Sequence, residues 1–199
     1  MNETIAYYNQ NAEDYFNKTV NVSMQEMYDQ FEAYLNSGDK ILDLGCGSGR
    51  DSKYFLSKGY DVISVDGSKE LCYLAEKYIG RNVINISFEE LDYINEFDAV
   101  WACASLLHVN SNELLEAFTR IRNSLKDKGL IYASWKYGNN ERINNGKHYI
   151  DLNEQSLTEL FDSFSFSIEK LWITDDNLLR GERWINIIGK KSNIGSKDF

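Results

Sequence analysis

Beyond residue 38 the chain alternates between short apolar runs and longer stretches with helical spacing. The strand-like runs are Lys40–Leu44, Asp61–Val65, Val83–Ile86, Phe97–Ala102 and Gly129–Trp135. Helical stretches at Asp51–Lys58, Lys69–Ile79 and Asn112–Lys126 lie between most of them. Such alternation predicts an α/β fold, a parallel sheet covered on both faces. The rhythm breaks near the end, where Asn153–Ser163 reads as a helix and Ser167–Thr174 and Arg183–Lys190 read as strands. A polar loop with Gly181 is all that joins those two strands, so they form a hairpin and the last strand is expected to run antiparallel. The expected count is seven strands, the last opposed to the other six, from the runs just named.

Ahead of this region the pattern is helical. Ala6 to Lys18 carries Tyr7, Tyr8, Tyr15 and Phe16, and Ser23 opens a second run through Met24, Met27, Tyr28, Phe31, Tyr34 and Leu35. No linker or repeat divides the chain, so it reads as a single domain over 1–199, with an N-terminal helical cap over 1–37 and a core over 38–199.

Composition narrows the partners more than the fold. With 43% hydrophobic and 26% charged residues in 199 positions, the chain has ordinary globular composition and length for a real core. Its net charge of −10 repels phosphate backbones, so no nucleic-acid partner is expected. No apolar run approaches a membrane span, and Met1-Asn2-Glu3-Thr4 lacks the design of a signal peptide, so no membrane partner and a cytoplasmic location are expected. Cys46, Cys72 and Cys103 lie far apart with no C-x-x-C pair, which suggests neither a disulfide framework nor a metal site. The chain has no proline, so its turns must be made with Gly, Asn, Asp and Ser.

The segment Ile41-Leu42-Asp43-Leu44-Gly45-Cys46-Gly47-Ser48-Gly49-Arg50 runs from a buried strand through three glycines to a helix beginning near Asp51. Glycine at those positions lets the backbone turn sharply and approach a ligand, with helix N-terminal N–H groups aimed at the same space. The spacing G-x-G-x-G is shorter than that of dinucleotide-binding loops. Asp66 ends the next strand, 21 residues after Gly45, where a carboxylate can accept hydrogen bonds from ribose hydroxyls. An aspartate that merely caps the helix after Ser68 would carry no such spacing.

Together with Asp66-Gly67-Ser68, Phe97-Asp98-Ala99-Val100 and Leu106-Leu107-His108-Val109, this segment resembles the class I S-adenosylmethionine-dependent methyltransferases over almost the whole chain. The likeness is to compact bacterial members acting on small molecules, of tellurite-resistance or ubiquinone-biogenesis type. It implies a Rossmann-like sheet of order 3-2-1-4-5-7-6 under an N-terminal lid, and S-adenosyl-L-methionine as cofactor. By the same resemblance Asp43, Gly45, Cys46, Gly47 and Arg50 would surround the methionine part, and Asp66 would bind the ribose. Gly67 and Ser68 would flank the adenine, Ala102 and Cys103 would lie near the amino-acid end, and Tyr8 and Tyr15 would cover the cofactor. Ser87-Phe88 stands where relatives have Asp and a small residue beside the adenine, which is a departure from the pattern.

Methyl transfer asks the protein to align the reactants, exclude water and remove a proton where the acceptor carries one. His108, just past the fourth strand, is the candidate base, or else a histidine that caps or packs beside the cofactor. The polar stretch from Lys136 to Tyr149 reads as a long loop at the ligand edge, and the segment Arg180 to Trp184 starts the last strand at the same edge. Lys136, Tyr137, Arg142, His148, Arg180, Arg183 and Trp184 are therefore candidates to hold a small, anionic acceptor by arginine forks, or else are solvated loop residues. Three functions remain open: a small-molecule methyltransferase acting as a monomer or weak dimer, a protein or peptide methyltransferase, and a cofactor-binding regulator without catalysis.

Overall fold

A computed structural model describes residues 3–178 and 181–192. Its main sheet has seven strands: β1 (Lys40–Leu44), β2 (Asp61–Asp66), β3 (Val83–Asn85), β4 (Phe97–Ala102), β5 (Leu125–Lys136), β8 (Phe166–Asp175) and β9 (Arg183–Lys191). They lie in the order β3-β2-β1-β4-β5-β9-β8, and β9 runs antiparallel to both of its neighbours. Setting aside the small hairpin described below, this is the order 3-2-1-4-5-7-6. The reversal between β1 and β4 opens a crevice at the carboxyl ends of the strands.

Residues alternate between the two faces of each strand, so every strand feeds two apolar clusters. On one face Leu42, Val100, Ile131 and Ile187 pack under α6 (Ser111–Ser124) and α7 (Glu154–Ser163), which contribute Phe118, Ile121, Leu157 and Phe161. On the other face Ile41, Ala99, Trp101 and Tyr132 pack under α3 (Gln25–Glu32) and α4 (Arg50–Ser57). Trp101 stacks on Tyr132 at 4.0 Å between ring centroids, and Phe31 and Phe55 close around the pair. The apolar spacing of Met27, Tyr28 and Phe31 thus belongs to core packing. α5 (Lys69–Ile79) is capped at its start by Ser68, whose Oγ accepts from Leu71 N, and ends on Gly80 in the left-handed region.

Two local readings are corrected. The helical run from Ala6 to Lys18 is two helices, α1 (Glu3–Gln10) and α2 (Ala12–Thr19), parted at Asn11. Asn11 turns its side chain back to donate to the Tyr7 carbonyl, which competes with helix continuation. The polar stretch after Lys136 is not an open loop, because it holds a hairpin of β6 (Glu141–Asn144) and β7 (Lys147–Ile150). Asn145 and Gly146 form its two-residue turn with φ of 51° and 74°, the mirror-image turn that Asn-Gly favours. That hairpin docks on α1, where His148 N donates to Thr4 Oγ1 at 3.0 Å. Among the described residues no helix is long and apolar enough to cross a membrane.

Candidate active site

The glycine loop leaves β1 with Gly45, Gly47 and Gly49 all in the left-handed region, at φ of 78°, 56° and 76°. A Cβ on Gly45 would lie 2.5 Å from Ser105 Cβ, and one on Gly47 would lie 3.1 Å from the Tyr15 ring. Side chains here would therefore fill the crevice and strain the backbone. Asp66 fixes the loop across the adjacent strand tip: its Oδ2 accepts from Gly47 N at 2.9 Å and its Oδ1 from Ser68 N at 2.8 Å. Burial raises its pKa above the ordinary carboxylate value, against the pull of those two N–H donors. Each carboxylate oxygen can accept a further hydrogen bond, and Asp66 lines the crevice.

The N-terminal helices close over this loop. Asn9 Oδ1 accepts from Ser68 Oγ at 2.8 Å, Ile5 packs against Gly67, and Tyr15 covers Gly47. The cleft so formed, about 940 Å³ with its open mouth included, is walled by Tyr15, Gly45, Gly47, Asp66, Gly67, Ser68, Ser87 and Phe88. Ser87 opens a short 3-10 turn whose Glu90 carboxylate accepts from Ser87 N at 2.8 Å, which holds that departure from the family pattern in the cleft wall. Ser105 also lines the cleft, and its buried Oγ has no partner there. A hydroxyl so placed can hydrogen-bond to a molecule in the cleft.

A second chamber, about 1310 Å³ on the same measure, lies on the far side of Tyr8, Tyr15, Ala104 and His108, which border both spaces. Its wall includes Arg50, Cys103, Tyr132, Lys136, Lys147, Tyr149 and Trp184. His108 therefore stands on the partition. Its ring lies between the Tyr8 hydroxyl, 2.8 Å from Nε2, and the His148 carbonyl, 2.7 Å from Nδ1. A carbonyl only accepts, so Nδ1 carries the proton and Nε2 is the bare nitrogen that receives the Tyr8 hydroxyl. Burial lowers the His108 pKa to about 4, which keeps the ring neutral at pH 7.

Arg50 reaches the chamber from the first turn of α4 with its charge already balanced. Asp51 takes Arg50 Nε at 2.6 Å and Nη2 at 2.9 Å, and further accepts from Tyr28 Oη at 2.5 Å and Trp101 Nε1 at 2.9 Å. Burial opposes the Asp51 charge, but the guanidinium outweighs it and holds the carboxyl below its ordinary range.

Other expected site residues stand behind the walls. Asp43, with only 2% of its surface exposed, lies beneath the loop and accepts from Ser52 Oγ at 2.5 Å. Burial, and then the Asp51 charge, raise its pKa. Cys46 packs with Cys72, Ala75 and Val83, and Ala102 is fully buried, so neither meets the crevice. Cys103 does reach the chamber, but burial pushes its thiol up to about 12, the wrong direction for a nucleophile.

Among the expected acceptor residues, Lys136 and Trp184 line the chamber, whereas Tyr137, Arg142, His148 and Arg183 do not. Arg142 pairs with Asp151, His148 Nε2 with Glu141 at 2.8 Å, and the exposed Arg183 lies over the Tyr137 ring at 4.7 Å. Strand alternation explains part of this, because Lys147 and Tyr149 share one side of β7 and His148 points to the other. Arg180 lies outside the described residues. Sequence reasoning passed over Ser105 and Lys147; the Asn145-Gly146 turn signal could have placed Lys147 and Tyr149 on one face of a strand.

Comparison with known proteins completes the assignment. The family described as "Methyltransferase domain" matches residues 41–129, from the first strand through the fourth and into the fifth. Residues 41–129 thus carry a methyltransferase domain, and the chain is similar to S-adenosylmethionine-dependent methyltransferases. It is 31% identical over 116 residues to a putative methyltransferase, YqeM, of Bacillus subtilis, a match covering 52% of this chain and 47% of that one. It is 37% identical over 75 residues to the probable S-adenosyl-L-methionine-dependent methyltransferase TehB of Haemophilus influenzae, covering 38% of this chain and 26% of the other. These matches span at most about half the length of the two relatives. In structure it is similar to the 1,6-didemethyltoxoflavin-N1-methyltransferase of Burkholderia thailandensis, with a TM-score of 0.83 at 22% identity, over 96% of this chain and 88% of that one. At that identity the likeness is one of fold.

Proposed function

We propose that this protein transfers a methyl group from S-adenosylmethionine to a small acceptor seated in the second chamber. The observation that carries the reading is the partition: the glycine cleft and the chamber meet at Tyr8, Tyr15, Ala104 and His108. In the bound state the cofactor would supply a methyl group already activated on a sulfonium. Asp66 would accept the ribose hydroxyls, Ser87 and Phe88 would border the adenine, and Gly45 and Gly47 would let the backbone approach. Ser105 Oγ gives the cleft one further unspent hydrogen bond.

The chain's own chemistry lies at the partition. The cap helices and the hairpin wall the chamber, and a bound acceptor would complete the exclusion of water from the reacting atoms. An acceptor hydroxyl or amine placed beside Tyr8 would pass its proton to the Tyr8 oxygen as the Tyr8 proton moves to His108 Nε2. The His148 carbonyl holds Nδ1–H throughout and so steadies the imidazolium that forms. The similar structure from Burkholderia thailandensis, whose bound molecules include S-adenosylhomocysteine, supports the same reading.

Calorimetric titration of the full chain with S-adenosylhomocysteine tests this. The wild type is expected to bind, and Asp66→Asn, which loses a charged acceptor, is expected to bind roughly ten- to hundredfold more weakly. Absence of binding by both S-adenosylhomocysteine and S-adenosylmethionine in the wild type would overturn the assignment. A methyl-transfer screen over small acids, phenols, amines and thiols then identifies the acceptor.

A further inference from the structure

The cations facing the chamber differ in one respect. Lys18 pairs with Asp14, Arg50 with Asp51 and Lys136 with Glu182, so each of those charges is balanced nearby. Lys147 is the exception. Its ammonium is half-buried among three tyrosines, 4.5 Å from the Tyr7 ring centroid, 5.7 Å from Tyr8 and 5.5 Å from Tyr149. None of its N–H donors meets a carboxylate or another hydrogen-bond acceptor among the described residues. Ring faces attract the charge but leave its donors free, so the ammonium still offers strong hydrogen bonds to an anion.

We infer that Lys147, held in the Tyr7–Tyr8–Tyr149 cage, is the anchor for a single carboxylate on the acceptor. This deepens the methyltransferase reading and rests on it for the word acceptor. An ammonium is a point charge without the fork geometry of a guanidinium, which suits one compact anion. Lys136 and Arg142 also lie against the Tyr149 ring, at 4.7 and 5.3 Å, but Glu182 and Asp151 balance them, so Lys147 is the cation left to meet an anion. Tyr8 belongs to both the cage and the pair with His108. An acceptor held by its carboxylate at Lys147 therefore presents its other end to the partition, and the tyrosine walls favour a planar body. The anionic acceptor expected from arginine forks is thus held by a lysine instead, because Arg142 is spent on Asp151 and Arg183 lies over Tyr137.

The test uses the full chain and two probes of one shape, benzoate and its neutral isostere benzamide, titrated with and without saturating S-adenosylhomocysteine. Wild type is expected to bind benzoate more tightly than benzamide. Lys147→Met keeps the aliphatic stem against the rings and is expected to weaken benzoate roughly ten- to hundredfold while leaving benzamide unchanged. Lys147→Arg, which keeps the charge, should retain benzoate binding within about threefold. Equal benzoate affinity in wild type and Lys147→Met, or no benzoate binding by a wild type that binds S-adenosylhomocysteine, would overturn the anchor. Failure of the wild type to bind S-adenosylhomocysteine while benzoate still discriminates the variants would instead sink the methyltransferase reading and leave the anion site standing.

Discussion

The cleft beside the glycine loop and the chamber beside the hairpin share a wall, yet they are assembled from different kinds of structure. The cleft takes most of its wall from strand tips of the parallel sheet and the turns that follow them, and backbone conformation sets its shape at Gly45 and Gly47. The chamber draws on α1, α2, the β6–β7 hairpin and the facing ends of β5, β8 and β9, and its character comes from side chains that pair with one another. A site of the first kind tolerates few substitutions at its turns. One of the second kind can change its ligand by exchanging side chains without altering the fold.

The largest expected effect belongs to the cleft. Gly45→Ala places a non-glycine residue at φ of 78° with its Cβ 2.5 Å from Ser105. Strain and overlap together should weaken S-adenosylhomocysteine binding by about a hundredfold or more, while benzoate affinity in the chamber changes by less than about threefold. Calorimetry of both ligands reads the contrast directly. Parallel losses in both would show that the two spaces are one mechanical unit and break the comparison.

The same division decides what could be read in the chain before its structure. The strand runs of the main sheet, the antiparallel β9 and the placement of Gly47 and Asp66 follow from patterns within short stretches of sequence, because strand periodicity and φ > 0 leave local marks, whereas the strand order is implied by the family resemblance. Asp43 and Cys46 sit in the same motif, yet they lie behind it, since a motif fixes backbone position and not which side chains face a ligand. The chamber was less legible. Arg142 and Asp151 are close in sequence, but nothing in their spacing says that they neutralise each other and leave Lys147 as the free charge. The cap carried no local mark of its contacts either: Asn9 meets Ser68, and Thr4 meets His148, across long separations.

His108 stands on the shared wall, so its titration probes both spaces. Its pKa falls from an unfolded value near 6.5 to about 4 because burial disfavours the charged ring. Between those values the unfolded chain binds the proton that the folded chain refuses. The group's contribution to stability is therefore full above about pH 6.5 and is lost as pH falls toward about 4. His108→Asn, which cannot titrate there, should show a shallower fall of thermal midpoint over that range than wild type. Superimposable slopes would mean that the ring is open to water, and that the partition between the spaces is not closed at His108.

The smallest effect is expected at Arg183, and it bears most directly on the chamber. Its guanidinium is exposed and lies 4.7 Å over the Tyr137 ring, away from the chamber wall. Cation–ring contacts at exposed positions contribute little, so Arg183→Ala should lower stability by about 0.5–1 kcal/mol or less. Benzoate and S-adenosylhomocysteine affinities should both stay within about twofold of wild type, since surface changes away from a site seldom reach it. A tenfold loss of benzoate binding would instead show that the guanidinium swings off Tyr137 onto the ligand. The chamber would then hold its anion by a fork from β9, and the single-charge account built on Lys147 would give way to a shared one.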